Sequence, residues 1–120
     1  MGMYVAVRGW LEVAHEQRGA VETVIHRHRH ELYSGGWGFP SKPFNWSLYV
    51  FYGGDIRESA VEWFRAQVDQ LAALEPIDDD GDQPRGLFLL TDERQQVDMW
   101  LVRGGAVTVG AAPDYEWLGA

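Results

Sequence analysis

Three histidines at alternate positions, His26-x-His28-x-His30, have the spacing in this chain that most invites a chemical reading. Imidazoles four residues apart share one helix face, so His26 and His30 could grip one metal with Glu22 as the nearest carboxylate. His28 points away from that face. The remaining donors fall short of a closed site, and no metal is expected. Asp78-Asp79-Asp80-Gly81-Asp82 offers carboxylates in the manner of a calcium loop. Setting Gly81 at the loop's required glycine, however, puts Pro76 at the first ligand and Leu87 at the bidentate glutamate position. Gly35-Gly36-Trp37-Gly38 lacks the spacing of a phosphate loop, and Ser34, Ser41, Ser47 and Ser59 lack the context of an activated nucleophile. Asp92-Glu93 closes an apolar strand, where paired carboxylates can move protons, but the pair also opens a turn into Arg94-Gln95-Gln96. The chain has no cysteine, which removes thiolate metal sites, disulfides and cysteine nucleophiles. With no catalytic constellation left, the chain reads as a non-enzyme without a cofactor.

The elements that must position these residues form one domain over residues 1–120, as expected for this length. Tyr4 to Ala14 alternates as a strand with its apolar side on the odd residues, so Trp10 falls on the more polar face. Gly19 to Leu32 has a helical stripe of Val21, Val24, Ile25, His28 and Leu32. Residues 33–45 are rich in glycine and proline and read as a loop, although they carry Trp37, Phe39 and Phe44. Trp46 to Tyr52 reads as a strand stopped by Gly53-Gly54. Asp55 then caps a helix, with Glu58 three residues on and a stripe of Val61, Phe64, Val68 and Leu71. Strands follow over Gly86–Thr91, Val97–Arg103 and Ala106–Val109, the last two joined by a Gly104-Gly105 turn. The order β-α-β-α-β-β-β predicts an α+β, two-layer fold, with a mixed sheet of about five strands and both helices on one face.

Charge is distributed unevenly along the chain. Residues 1–54 hold five Arg/Lys against four Asp/Glu, a balance of +1; residues 55–120 hold five against fourteen, a balance of −9. The sum is the net −8. A surface of this sign repels nucleic acid and anionic lipid and speeds encounter with a basic partner. The aromatics are not interleaved with basic residues, so nucleic acid is not expected as a partner. No apolar run approaches the roughly 20 residues that span a bilayer, and no secretory leader is visible, so a cytoplasmic protein is expected.

Several segments together resemble a known family. Arg8-Gly9-Trp10-Leu11-Glu12-Val13, Gly86-Leu87-Phe88-Leu89-Leu90-Thr91-Asp92-Glu93, Val97-Asp98-Met99-Trp100-Leu101-Val102-Arg103-Gly104-Gly105 and Asp114-Tyr115-Glu116-Trp117-Leu118 are similar, in order and spacing, to segments of bacterial polymorphic-toxin immunity proteins of the immunity protein seven family. The chain departs from that pattern at Gly53-Gly54-Asp55-Ile56-Arg57, where an Asn-His-Arg-like turn is usual, and at its Leu118-Gly119-Ala120 end. The resemblance implies a small α+β protein without enzyme activity that binds and neutralises a cognate toxin domain. The charge adds that the toxin is basic, such as a nuclease. On this reading Asp78, Asp79, Asp80 and Asp82 steer the partner, and Asp92, Glu93 and exposed Trp37 and Trp63 anchor it. The alternative is a small ligand-binding domain or enzyme that uses loop 33–45 as a lid, with His28 or Asp92 as the acid-base group. A third reading is a homodimer through the sheet face that the helices leave uncovered.

Overall fold

Side-chain alternation along the first strand decides which side of the sheet is dry. In the computed structural model, which describes residues 3–77 and 81–119, β1 (Tyr4–Val13) buries Val5, Val7, Leu11 and Val13. Tyr4, Ala6, Arg8, Trp10 and Glu12 take the opposite face, as a period of two requires. α1 (Arg18–Arg27) follows a short 3-10 turn. A two-residue strand, β2 (Trp37–Gly38), then leads to β3 (Leu48–Arg57), α2 (Val61–Ala72), β4 (Arg85–Asp92), β5 (Val97–Arg103) and β6 (Ala106–Ala111), and the chain closes in a 3-10 segment, Pro113–Gly119. The strands form one sheet in the order β2-β3-β1-β4-β5-β6.

The fold is α+β as the pattern predicts, with three corrections. The sheet has six strands rather than five, because Trp37-Gly38 pairs with Tyr52-Phe51 inside what reads as a loop. Every neighbouring pair is antiparallel, so the sheet is not mixed. β3 and β4 do run the same way, but β1 lies between them, and α2 crosses over it. Gly53-Gly54 does not stop β3, and Asp55 caps no helix. The strand continues through Asp55, opposite Ala6, to Arg57, because Ile56 is wholly buried opposite Val5.

α1 ends five residues before the predicted Leu32. Trp63 Nε1 donates to the His28 carbonyl at 2.6 Å, and the backbone N–H groups of Leu32 and Tyr33 turn to His30 Nδ1 at 3.0 and 3.3 Å. These side-chain bonds take the groups that would extend the helix. Leu32 is left 74% exposed, and His30 stands off the helix that carries His26.

Both helices cover one sheet face. Val21 and Val24 of α1 join Phe64, Val68, Leu71 and Ala72 of α2 over the buried residues of β1, β3 and β4. Phe64 is fully buried at the centre of an aromatic cluster. Its ring centroid lies 4.7 Å from Tyr52, 5.2 Å from Phe88, 5.4 Å from Trp37 and 5.7 Å from Trp100. Aromatic pairs at these spacings add to area burial. β1 and β4 approach closely enough to demand glycine at two positions. A Cβ on Gly9 would lie 2.6 Å from Phe88 Cα, and one on Gly86 would lie 2.8 Å from Leu11 Cα. Among the described residues, no helix is long and apolar enough to cross a membrane.

Candidate partner-binding surface

At one end of the sheet, the close of β1 and the starts of β3 and β4 converge on Glu12. Its carboxylate accepts hydrogen bonds from Ser47 Oγ and, at 3.0 Å, from Arg85 Nε. The Ser47 hydroxyl, and after it Arg85, hold the Glu12 carboxyl below the ordinary carboxylate range against the opposing effect of burial. Glu12 in turn raises the Arg85 guanidinium. Around this pair lies a cavity of about 200 Å³, lined by Glu12, Gln17, Trp46, Ile77, Asp82 and Arg85. Trp46 is fully exposed at its rim, Ile77 is 53% exposed, and nearby in sequence Phe44 is 74% exposed. His15 pins this segment by bonding the Asn45 carbonyl at 2.7 Å. Asp82 is thus brought beside a bare tryptophan. Its companions Asp78, Asp79 and Asp80 lie outside the described residues.

The other carboxylates proposed as contacts sit at the far end of β4, roughly 23 Å away at about 3.3 Å per residue. Asp92 Oδ1 accepts from the backbone N–H groups of Arg94 and Gln96 at 2.9 and 3.0 Å, in a tight turn where Gln95 takes a φ of 66°. Asp92 is therefore a turn-former. Glu93 Oε1 accepts from the Tyr4 backbone N–H at 3.0 Å, tying down the start of β1. Beside them Glu58, Asp92 and Asp98 share a small cavity of about 210 Å³ with Trp100, and Arg94 reaches Glu58 at 3.4 Å. Asp82 and the Asp92-Glu93 pair do not form one surface.

The two tryptophans expected as exposed anchors are placed otherwise. Trp37 is a core residue, stacked on Phe64, and its Nε1 donates to Gln67 Oε1 at 3.1 Å. Trp63 is half-buried under His30 and Tyr33. The load of aromatics in residues 33–45 is explained by this packing: Trp37 enters the core, and Phe39 lies under the Arg18 guanidinium at 4.9 Å. Within that segment Trp37-Gly38 is an edge strand, while residues 41–46 are exposed. His28 is occupied, with Nε2 2.9 Å from Gln70 Nε2. It stands apart from Asp92, which is held in the β4–β5 turn. Trp37, Trp46 and His28 do not share a pocket among the described residues. An open groove of about 600 Å³ between α1 and β2 holds His26 with Glu22, Arg29, Ser34 and Phe39. Among the described residues no three His, Asp or Glu side chains converge as metal ligands.

The sheet face that the helices leave bare carries a cross-strand row of Phe51, Trp10, Leu87 and Leu101, all partly or largely exposed. Arg8, Arg57, Arg85 and Arg103 share this face with only Glu12 and Asp55 on its strands. Among the described residues the acidic charge therefore lies mainly at the strand ends and on the helical side. Sequence reasoning missed Trp46 as the most exposed tryptophan among the described residues. Its signal was Pro43-Phe44-Asn45-Trp46, an aromatic pair just after a proline and at the very start of the strand run. No family model matches the chain, and no curated protein or solved structure matches it.

Proposed function

We propose that this chain is a non-enzymatic inhibitor that docks on a basic bacterial toxin domain, in the manner of an immunity protein, in the cytoplasm of the cell that makes the toxin. The observation that carries this reading is the corner where fully exposed Trp46 and half-exposed Ile77 stand next to Asp82. A bare aromatic beside carboxylates combines the two properties an inhibitor of a cationic protein needs. The apolar group gives residence once desolvated, and the charge gives fast encounter. The resemblance of the β1, β4 and β5 segments to immunity proteins supports the same class, and Trp46 takes the anchoring role first expected of Trp37 and Trp63.

The test is to sequence the gene immediately upstream and, where it encodes a toxin domain, to co-express that domain and read survival, followed by binding kinetics at several salt concentrations. Replacing Asp78, Asp79, Asp80 and Asp82 together by Asn should slow association and flatten its salt dependence. Trp46→Ala should act on dissociation instead, and a hot-spot loss of at least about 2 kcal/mol corresponds to roughly 30-fold. A chain that fails to protect cells, or whose association is indifferent to the fourfold change, would refute the proposal.

A further inference from the structure

β6 is a free edge of the sheet. Its sequence, Ala106-Val107-Thr108-Val109-Gly110-Ala111, has neither charge nor proline. Natural edges are ordinarily blunted by charge, by proline or by being short. The opposite edge obeys that rule, since β2 has two residues and Pro40 follows closely.

The hairpin sets the hydrogen-bond phase of β6. Gly104 and Gly105 take φ values of 61° and 81°. That is the mirror-image two-residue turn whose flanking residues, here Arg103 and Ala106, exchange both backbone bonds. The far end keeps the same phase, where Ala112 N donates to Val97 O at 2.9 Å. Ala106, Thr108, Gly110 and Ala112 therefore direct their backbone groups to β5. Those of Val107, Val109 and Ala111 face outward.

We propose that β6 pairs antiparallel with β6 of a second copy, with Val109 opposite Val109, joining the two sheets into one. The outward set is symmetric about Val109, so Val107 meets the other copy's Ala111 and each facing pair exchanges both backbone bonds. Residues directly opposite share a face in this register, and the pairs it creates are small: Val109 with Val109, Val107 with Ala111, Thr108 with Gly110. The next outward position is Pro113, which has no N–H, so the donors stop where the self-pairing stops. Charge agrees with the antiparallel sense. Arg103 precedes β6 and Asp114 and Glu116 follow it, so a two-fold axis brings each basic end to the other copy's acidic end. A foreign strand would require none of this self-complementarity, and a second copy requires all of it. A strand pair alone buries less than the roughly 1,200–2,000 Å² of a standard stable interface, so the dimer is weak and forms at high concentration.

The chain's lack of cysteine makes the test direct. Val109→Cys should cross-link to itself under mild oxidation, because hydrogen-bonded antiparallel partners have Cα atoms about 5.5 Å apart, within disulfide range. Thr108→Cys should stay monomeric, since its nearest copy is a diagonal neighbour at about 7–8 Å. Sedimentation equilibrium of the intact chain up to about 1 mM should show mass rising towards that of a dimer. Val109→Lys and Val109→Pro should abolish that rise with unchanged circular dichroism, since the Val109 N–H serves no intramolecular ladder and the side chain is 48% exposed. Monomer mass throughout together with no Val109→Cys cross-link overturns the dimer. Equal cross-linking of Thr108→Cys, or a dimer that survives Val109→Lys, overturns the β6 register.

Discussion

Replacing Trp37 by Phe should destabilise the protein, and removing Gln67 as well should not add a second full cost. The indole Nε1 donates to Gln67 Oε1 at 3.1 Å, and Gln67 is fully buried. Phe keeps the ring that stacks on Phe64 but removes the donor, leaving a buried amide oxygen unpaired at about 1–3 kcal/mol. The missing pyrrole edge leaves a void of a few tens of Å³, and at ~24 cal/mol per Å³ this adds about 1 kcal/mol. The expected cost is about 2–4 kcal/mol, or a Tm lower by roughly 8–16 °C for a domain of this size. Gln67→Leu alone strands the indole N–H and the contact of Gln67 Nε2 with the Trp63 carbonyl at 3.2 Å. In the double variant neither member of the pair remains unsatisfied, so its cost should fall at least about 1 kcal/mol below the sum of the singles. The assay is urea unfolding of all four proteins with a common m-value. A Trp37→Phe variant within about 0.5 kcal/mol of the parent would refute this account of Trp37, as would single costs that add within that error.

Gly9→Ala should cost about 2–4 kcal/mol, since its Cβ would meet Phe88 Cα at 2.6 Å in the middle of a central strand. Gly53→Ala, with nothing within 4 Å, should be neutral or stabilising by about 0.5 kcal/mol in the same urea unfolding. Tyr52, whose hydroxyl donates to the Tyr33 carbonyl at 2.7 Å, is pushed by burial and then by Tyr33 to about 12. Its neutral form is favoured by the fold, so that contribution is complete below pH 10 and is lost as pH rises towards 12. Ultraviolet phenolate titration should show a late tyrosine that Tyr52→Phe removes. The lowered Glu12 acts at the other end of the pH scale. Its contribution is present above the unfolded value of 4.5 and is lost as pH falls through its depressed folded value, so Glu12→Gln should flatten the acid limb of a stability–pH profile.

How far the fold could be read depended on whether a signal was local. The odd-residue stripe of β1, the Phe64 stripe of α2 and the Gly104-Gly105 turn each state their outcome within a few residues, and each is found. Gly53-Gly54 misled because a glycine pair marks a turn unless the flanking strand is held on both sides. Here Ile56 opposite Val5 holds it, which is a contact across 51 positions. The capping signature Asp55–Glu58 arose from the same misplacement. Trp37 looked like a surface residue because its neighbours are glycine and proline, while its burial depends on Gln67 and Phe64, thirty residues and nearly that many further on. The candidate site was legible in composition but not in arrangement. Counting carboxylates could not separate Asp82 from Asp92, which lie at opposite ends of β4.

The same arrangement sets the two proposed contacts apart, and salt should tell them from each other. The Trp46–Asp82 corner gathers the ends of β3, β1 and β4, whereas β6 lies beyond β5, so self-pairing through β6 leaves the corner open on both copies. Docking of a cationic toxin at the corner draws on attraction between opposite charges and should weaken as the Debye length contracts from about 10 Å at 0.1 M to about 3 Å at 1 M. Pairing of β6 brings together two chains of net charge −8 along an uncharged strand, so screening their mutual repulsion should strengthen it over the same range. Cross-linking of Val109→Cys should therefore accelerate with added salt while toxin association slows. If both fall together, the self-pairing is governed by the Arg103 and Asp114 ends rather than by the backbone of β6.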